Sequence, residues 1–63
     1  MRRKKNLDVR RVLKDRRVYM WEVAERLGIH EVTLYRWFRH ELPEDKKERI
    51  RSAVDEIVSA RQF

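Results

Sequence analysis

The stretch Glu31-Val32-Thr33-Leu34-Tyr35-Arg36-Trp37-Phe38-Arg39 holds the most specific chemistry in the chain. Helical spacing turns Leu34, Trp37 and Phe38 inward and leaves Val32, Thr33, Tyr35, Arg36 and Arg39 outward, with Glu31 at the leading end. Such a set can read base-pair edges. An arginine fork donates to guanine O6 and N7 together, valine meets a thymine methyl, threonine bonds bases or phosphates, and a carboxylate accepts from cytosine N4. Each residue also has a plainer role. Arg36 serves equally well as a phosphate ligand, Thr33 as helix-end support and Tyr35 as surface packing or a phosphate donor. Glu31 meets repulsion in a phosphate-lined groove, so stabilising the positive end of its own helix is favoured for it.

Two helices must present that face. The segment Met20 to Arg39 reads MWEVAERLGIHEVTLYRWFR. Ala24 stands where one helix must be small for another to cross close above it. Gly28, the only glycine in the chain, stands where the turn needs a left-handed backbone. Val23, Leu27, Ile29, Leu34 and Trp37 supply the apolar contacts between the helices. The pattern fits a helix-turn-helix, which sets its second helix in the DNA major groove. An ordinary helical hairpin is the alternative. The spacing predicts a second helix over 20–27, a turn at Gly28–Ile29 and a third helix from Glu31 to Arg39 or His40.

The net charge is +6 over 63 residues, and it is unevenly spread. Residues 1–17 hold nine Lys/Arg against two acids, residues 18–40 are neutral, and residues 41–63 carry −1. A basic arm beside the two-helix segment suits phosphate contact. Lys4, Lys5, Arg16, Arg17 and Arg39 are the expected phosphate ligands, and Arg2 and Arg3 can follow the backbone or enter the minor groove. Most other charges, Asp55 and Glu56 among them, read as a wet face.

The remaining pattern is helical. Residues 1–6 (MRRKKN) have no apolar period and read as a flexible basic arm; residues 7–63 form the domain. Asn6 or Asp8 can cap a first helix that buries Val9, Val12 and Leu13 and ends near Arg16 or Arg17, with Leu7 stapling its start. Pro43, Glu44 and Asp45 mark the first turn of a fourth helix running to about Ala60, with Ile50, Ala53, Val54, Ile57 and Val58 on one stripe. One glycine, one proline and no alternating strand pattern give an all-α, compact four-helix unit without a β-wing.

With these elements in place, the run from Tyr19 to Ile50, and above all Arg36-Trp37-Phe38-Arg39-His40-Glu41-Leu42-Pro43, resembles the lambda-repressor-like (Cro/cI, XRE) helix-turn-helix proteins. The small members found in phages and mobile elements are the most similar. The resemblance covers about residues 7–60. It implies sequence-specific binding of double-stranded DNA, with Glu31, Val32, Thr33, Tyr35 and Arg36 at the positions that touch bases. Two positions depart from the family pattern. Met20 stands where a phosphate-binding glutamine is common, so that anchor is either lost or moved to Arg16, Arg17 or Tyr19, and His30 stands where a serine or asparagine cap is common.

Other chemistry is not supported. With no cysteine, disulfides and thiolate metal sites are excluded. His30 and His40 have no matching acidic frame, so no metal or other cofactor is expected. No nucleophile–base set or glycine-rich phosphate loop is present, so the chain does not read as an enzyme. Trp21 and Trp37 read as core rather than as stacking platforms. No membrane span, signal peptide or small-molecule substrate is indicated, which suits a cytoplasmic protein. The expected role is transcriptional regulation in a phage or mobile element. An excisionase-like recombination accessory factor and a protein-binding anti-repressor module are the alternatives. A homodimer on paired half-sites fits the first role, with Ile57, Val58 and Phe63 either forming its interface or closing the core.

Overall fold

The chain builds four helices: α1 (Leu7–Asp15), α2 (Met20–Leu27), α3 (Glu31–Trp37) and α4 (Glu44–Ala60). The computed structural model describes residues 5–61; Arg2, Arg3, Lys4 and Phe63 lie outside the described residues. There is no strand among the described residues, as the all-α reading expects. The core draws on every helix. It takes Val9 and Leu13 from α1, Val23 and Ala24 from α2, Leu34 from α3, and Ile50, Ala53 and Val54 from α4. Val18, Phe38 and Leu42 join it from the connections. α2 packs on α3 and α4, and α1 packs on α4. Ala24 is 2% exposed, so no larger side chain fits there without moving a neighbour. Ile57 and Val58 are half-buried against the same core and help to close it.

Two helix ends use one device. At the end of α2, Ile29 N–H donates to Ala24 O (3.0 Å) and Gly28 N–H to Glu25 O (3.2 Å), with Gly28 at φ 75°. At the end of α1, Val18 N–H donates to Leu13 O (2.9 Å) and Arg17 N–H to Lys14 O (3.2 Å), with Arg17 at φ 56°. Both are the Schellman pattern, with a buried apolar pair (Val18 and Leu13) closing the one at α1. Only the first has its glycine. Arginine at φ 56° carries the steric cost that a Cβ brings to the left-handed region.

Asn6 is the principal tie between the start of the chain and its middle. It is fully buried and also left-handed, at φ 61°. Its Nδ2 donates to Phe38 O (3.2 Å) and His40 O (2.9 Å), its Oδ1 accepts from Leu42 N–H (2.7 Å), and its own N–H donates to Glu41 Oε1 (2.9 Å). In a continuing helix Phe38 O would accept from Leu42 N–H. The carboxamide takes both partners instead.

That capture explains three departures from the sequence reading. Asn6 belongs to the folded body rather than to the arm of residues 1–6. It precedes α1 without capping it through its side chain. α3 ends at Trp37 rather than at Arg39 or His40, and Phe38 to His40 form a tightened turn with Arg39 N–H on Arg36 O (3.1 Å) and His40 N–H on Trp37 O (3.4 Å). Two apolar residues also differ. Trp21 is 53% exposed, because the inward stripe of α2 is Met20, Val23, Ala24 and Leu27, and Trp21 lies beside it. Leu7 is exposed rather than stapled.

These features give two stability predictions. Asn6→Ala removes three side-chain hydrogen bonds and strands buried backbone groups, so it should lower unfolding free energy by about 2–4 kcal/mol in urea titrations. A loss below about 1 kcal/mol would mean that water replaces the carboxamide. The left-handed positions should respond in opposite senses. A Cβ at Gly28 meets nothing within 4 Å, so Gly28→Ala should cost about 1 kcal/mol through backbone strain alone. Arg17→Gly should be neutral or stabilising by up to about 1 kcal/mol. Arg17→Gly destabilising as much as Gly28→Ala would show that the Arg17 side chain outweighs its strain.

Candidate nucleic-acid interface

α3 exposes one face and buries the other. Leu34 is fully buried and Phe38, just beyond the helix, is 3% exposed. At 3.6 residues per turn the direction opposite this pair falls on Arg36, with Val32 next to it. Val32, at 62%, and Tyr35, at 51%, stay in water, and Glu31, Arg36 and Arg39 are exposed. Thr33 and Trp37 are half-buried on one flank, where Lys46 Nζ sits 4.3 Å from the centroid of the Trp37 ring. Of the five residues expected to read bases, Glu31, Val32, Tyr35 and Arg36 are exposed and Thr33 is half-buried. Glu31 lies in the first turn of α3, and His30 precedes it in an extended conformation without a side-chain cap.

The other flank of α3 borders a groove of about 350 Å³. Glu31 and Tyr35 line one wall, Tyr19 and Trp21 at the start of α2 another, and Arg10 and Lys14 of α1 the third. Tyr19 is 65% exposed. Most of the large apolar residues left in water therefore gather here or on the adjoining face of α3, a concentration typical of interaction surfaces. Sequence reasoning passed over Arg10 and Lys14. The available signal was the helical period, which puts both on the side of α1 away from Val12.

Ion pairs remove other charges from this surface. Arg16, expected to bind phosphate, is drawn to Asp55 of α4 at 3.5 Å. Arg26 pairs with Glu56 at 2.7 Å and Arg61 with Glu22 at 2.6 Å. Asp55 and Glu56 are thus partners as well as solvated charges. Lys47, 8% exposed, binds Asp8 at 3.1 Å and Glu41, while Arg51 reaches Asp8 at 3.2 Å and Glu44 at 3.0 Å. By contrast Lys5, Arg10, Arg11, Lys14, Arg17, Arg36 and Arg39 make no ion pair among the described residues. Arg17 offers its carbonyl to Arg61 Nη1 (2.9 Å), and its own side chain is exposed.

Three of the paired carboxylates, Asp8, Glu22 and Glu41, titrate low. The hydrogen bond from Lys47 holds Asp8 below the usual carboxylate value, and the bonds from Lys47 and the Asn6 N–H do the same for Glu41. Glu22 is lowered by the Tyr19 N–H (3.0 Å from its Oε1) and by Arg61. Glu41 and then Asp8 raise Lys47. Among the described residues no group of His, Asp and Glu could hold a metal ion, and no helix is long and apolar enough to cross a membrane. No family model, curated protein or solved structure matches the chain.

Stability should therefore depend on pH at both extremes. The lowered carboxylates stabilise the fold fully above about pH 5 and lose that effect as pH falls through their folded values. Raised Lys47 contributes below about pH 10 and loses its contribution above its folded value. The thermal midpoint should be level near neutrality and fall below about pH 4. Glu41→Gln should melt lower at pH 7 and lose less on acidification. An equal acid loss in the variant and the parent would remove Glu41 from the pH response.

Proposed function

We propose that the chain is a sequence-specific binder of double-stranded DNA. In this reading α2 and α3 act as a helix-turn-helix of the lambda-repressor-like kind, and the role is regulation of transcription in a phage or mobile element. What carries the reading is one convergence. The exposed side of α3, with Arg36 outermost, adjoins a groove shared with Tyr19 at the start of α2 and the unpaired Arg10 and Lys14. A duplex seated there would take the N-terminal part of α3 into its major groove, with Val32 and Arg36 toward base edges. Tyr19, Lys5, Arg17 and Arg39 would meet phosphates, which positions the duplex without reading it. Arg2, Arg3 and Lys4 extend the same basic sign toward the start of the chain.

Gly28 supports the reading from below. Its left-handed turn sets α3 across α2, and Ala24 lets the two approach. Glu31 fits either as a partner for cytosine N4 or as the acidic residue at the positive end of α3. One recognition helix reads only a few base pairs, so two copies on paired half-sites are the expected bound form.

A second reading, a protein-docking module, is favoured by Trp21, which stands half in water beside Tyr19 and Tyr35. Salt separates the two. Duplex binding should weaken steeply as salt rises, whereas docking through aromatics should change little.

The test of the first reading is selection from a random duplex pool, then titration of Arg36→Ala and Arg39→Ala against the selected and a scrambled duplex at one salt concentration. Arg36→Ala should lose about 1–3 kcal/mol of discrimination. Arg39→Ala should weaken both duplexes alike. Equal weakening of both by Arg36→Ala would make Arg36 a backbone ligand. No enrichment in the selection would set the DNA reading aside.

A further inference from the structure

The outer side of α1 has no role in the reading above beyond the two residues that face the groove. Leu7, Arg10, Arg11 and Lys14 recur at helical spacing opposite the buried Val9 and Leu13. Together they border a shallow depression of about 360 Å³. Arg10 and Lys14 also line the groove beside Tyr19 and Tyr35, so the basic stripe of α1 adjoins the wall that Glu31 and Tyr35 of α3 form. We infer that this side of α1 is a track for a DNA strand, with Arg10, Arg11 and Lys14 as three phosphate ligands that bind duplex of any sequence.

Charge segregation on α1 supports the assignment. Asp8 turns away to Lys47 and Arg51, which removes its negative charge from the stripe. Asp15, one helical turn beyond Arg11, is exposed and makes no ion pair with it. Among the described residues Glu31 is the one acid lining the adjoining groove. Arg10 is held in place, with its Nε donating to Lys5 O (2.9 Å) and its guanidinium carbon 5.0 Å from the centroid of the Phe38 ring. That hold leaves both terminal nitrogens without a hydrogen-bond partner among the described residues and lowers the ordering cost of binding. A polyanion with regularly spaced charges complements three adjacent cations. A base-reading role does not fit them, because they lie on a helix other than α3.

The inference rests on the proposed DNA binding, and the experiment separates the two. Parent, the triple variant Arg10→Gln/Arg11→Gln/Lys14→Gln and the control Arg49→Gln would be titrated with a labelled mixed-sequence 20-base-pair duplex over a range of salt. Arg49 is an exposed, unpaired cation of α4. Each lost phosphate contact removes about 0.9 from the log–log salt slope, so the triple variant should be flatter than the parent by about 2.7. Arg49→Gln should keep the parent slope. Should Arg10→Gln loosen the fold by uncovering Phe38, as circular dichroism would report, the double variant Arg11→Gln/Lys14→Gln should still flatten the slope by about 1.8. A parent that binds duplex, with a double variant of unchanged slope, would overturn the track and leave α3 recognition standing. A parent that binds no duplex would overturn both. Anionic lipid vesicles retaining the parent but not the triple variant, with no change in the duplex slope, would assign the stripe to membranes instead.

Discussion

The arrangement of this protein depends on one carboxamide. Asn6 intercepts the Phe38 carbonyl and the Leu42 N–H, the two groups that would bond each other if α3 continued. With that pair taken, the chain leaves the helix, places Phe38 and Leu42 in the core and reaches Pro43, which precedes α4. The same residue anchors the start of α1, since Arg10 N–H donates to Asn6 O at 2.8 Å. One residue thus joins three elements: its main-chain carbonyl holds the start of α1, and its carboxamide ends α3 and sets the approach to α4. A domain of this size has a small core, so a buried polar tie with all its groups satisfied carries much of the specification of the fold.

Charge follows the same logic. Asp8, Glu41 and Glu44 converge on Lys47 and Arg51 next to the Asn6 tie, and Asp55, Glu56 and Glu22 answer arginines elsewhere. Exposed pairs of this kind contribute little stability one by one. Their larger consequence is where they leave the remaining charge. Of the cations that make no ion pair among the described residues, Lys5, Arg10, Arg11, Lys14, Arg17, Arg36 and Arg39 lie on or beside α1 and α3, while Lys46 and Arg49 stay on α4.

Much of this was legible in the chain. Local rules placed all four helices, because each apolar stripe repeats with the helical period and Gly28 and Pro43 punctuate it. The left-handed turn at Gly28, the small contact at Ala24 and the inward Leu34 followed from residue type and spacing. The early end of α3 did not, because it comes from a side chain 32 positions earlier in sequence. Arg17 gave no sign of its left-handed backbone, since an arginine there carries none of the marks of a glycine. Trp21 misled for another reason. Its size and apolarity suggest burial, yet it lies off the stripe that Met20, Val23, Ala24 and Leu27 define.

The sequence by itself determined the class of structure and the chemistry on offer. Helical periodicity, one well-placed glycine and a basic first third are properties of neighbouring residues, and neighbours are what local physics acts on. Only the tertiary structure decided which charges stay free and which apolar groups stay wet. Lys47 is buried because Asp8 and Glu41 reach it from 39 and 6 positions away. Arg16 turns to Asp55 while Arg10 and Lys14 face the groove beside Tyr35. Those outcomes depend on distances between segments remote in sequence, which exist only once the core has closed.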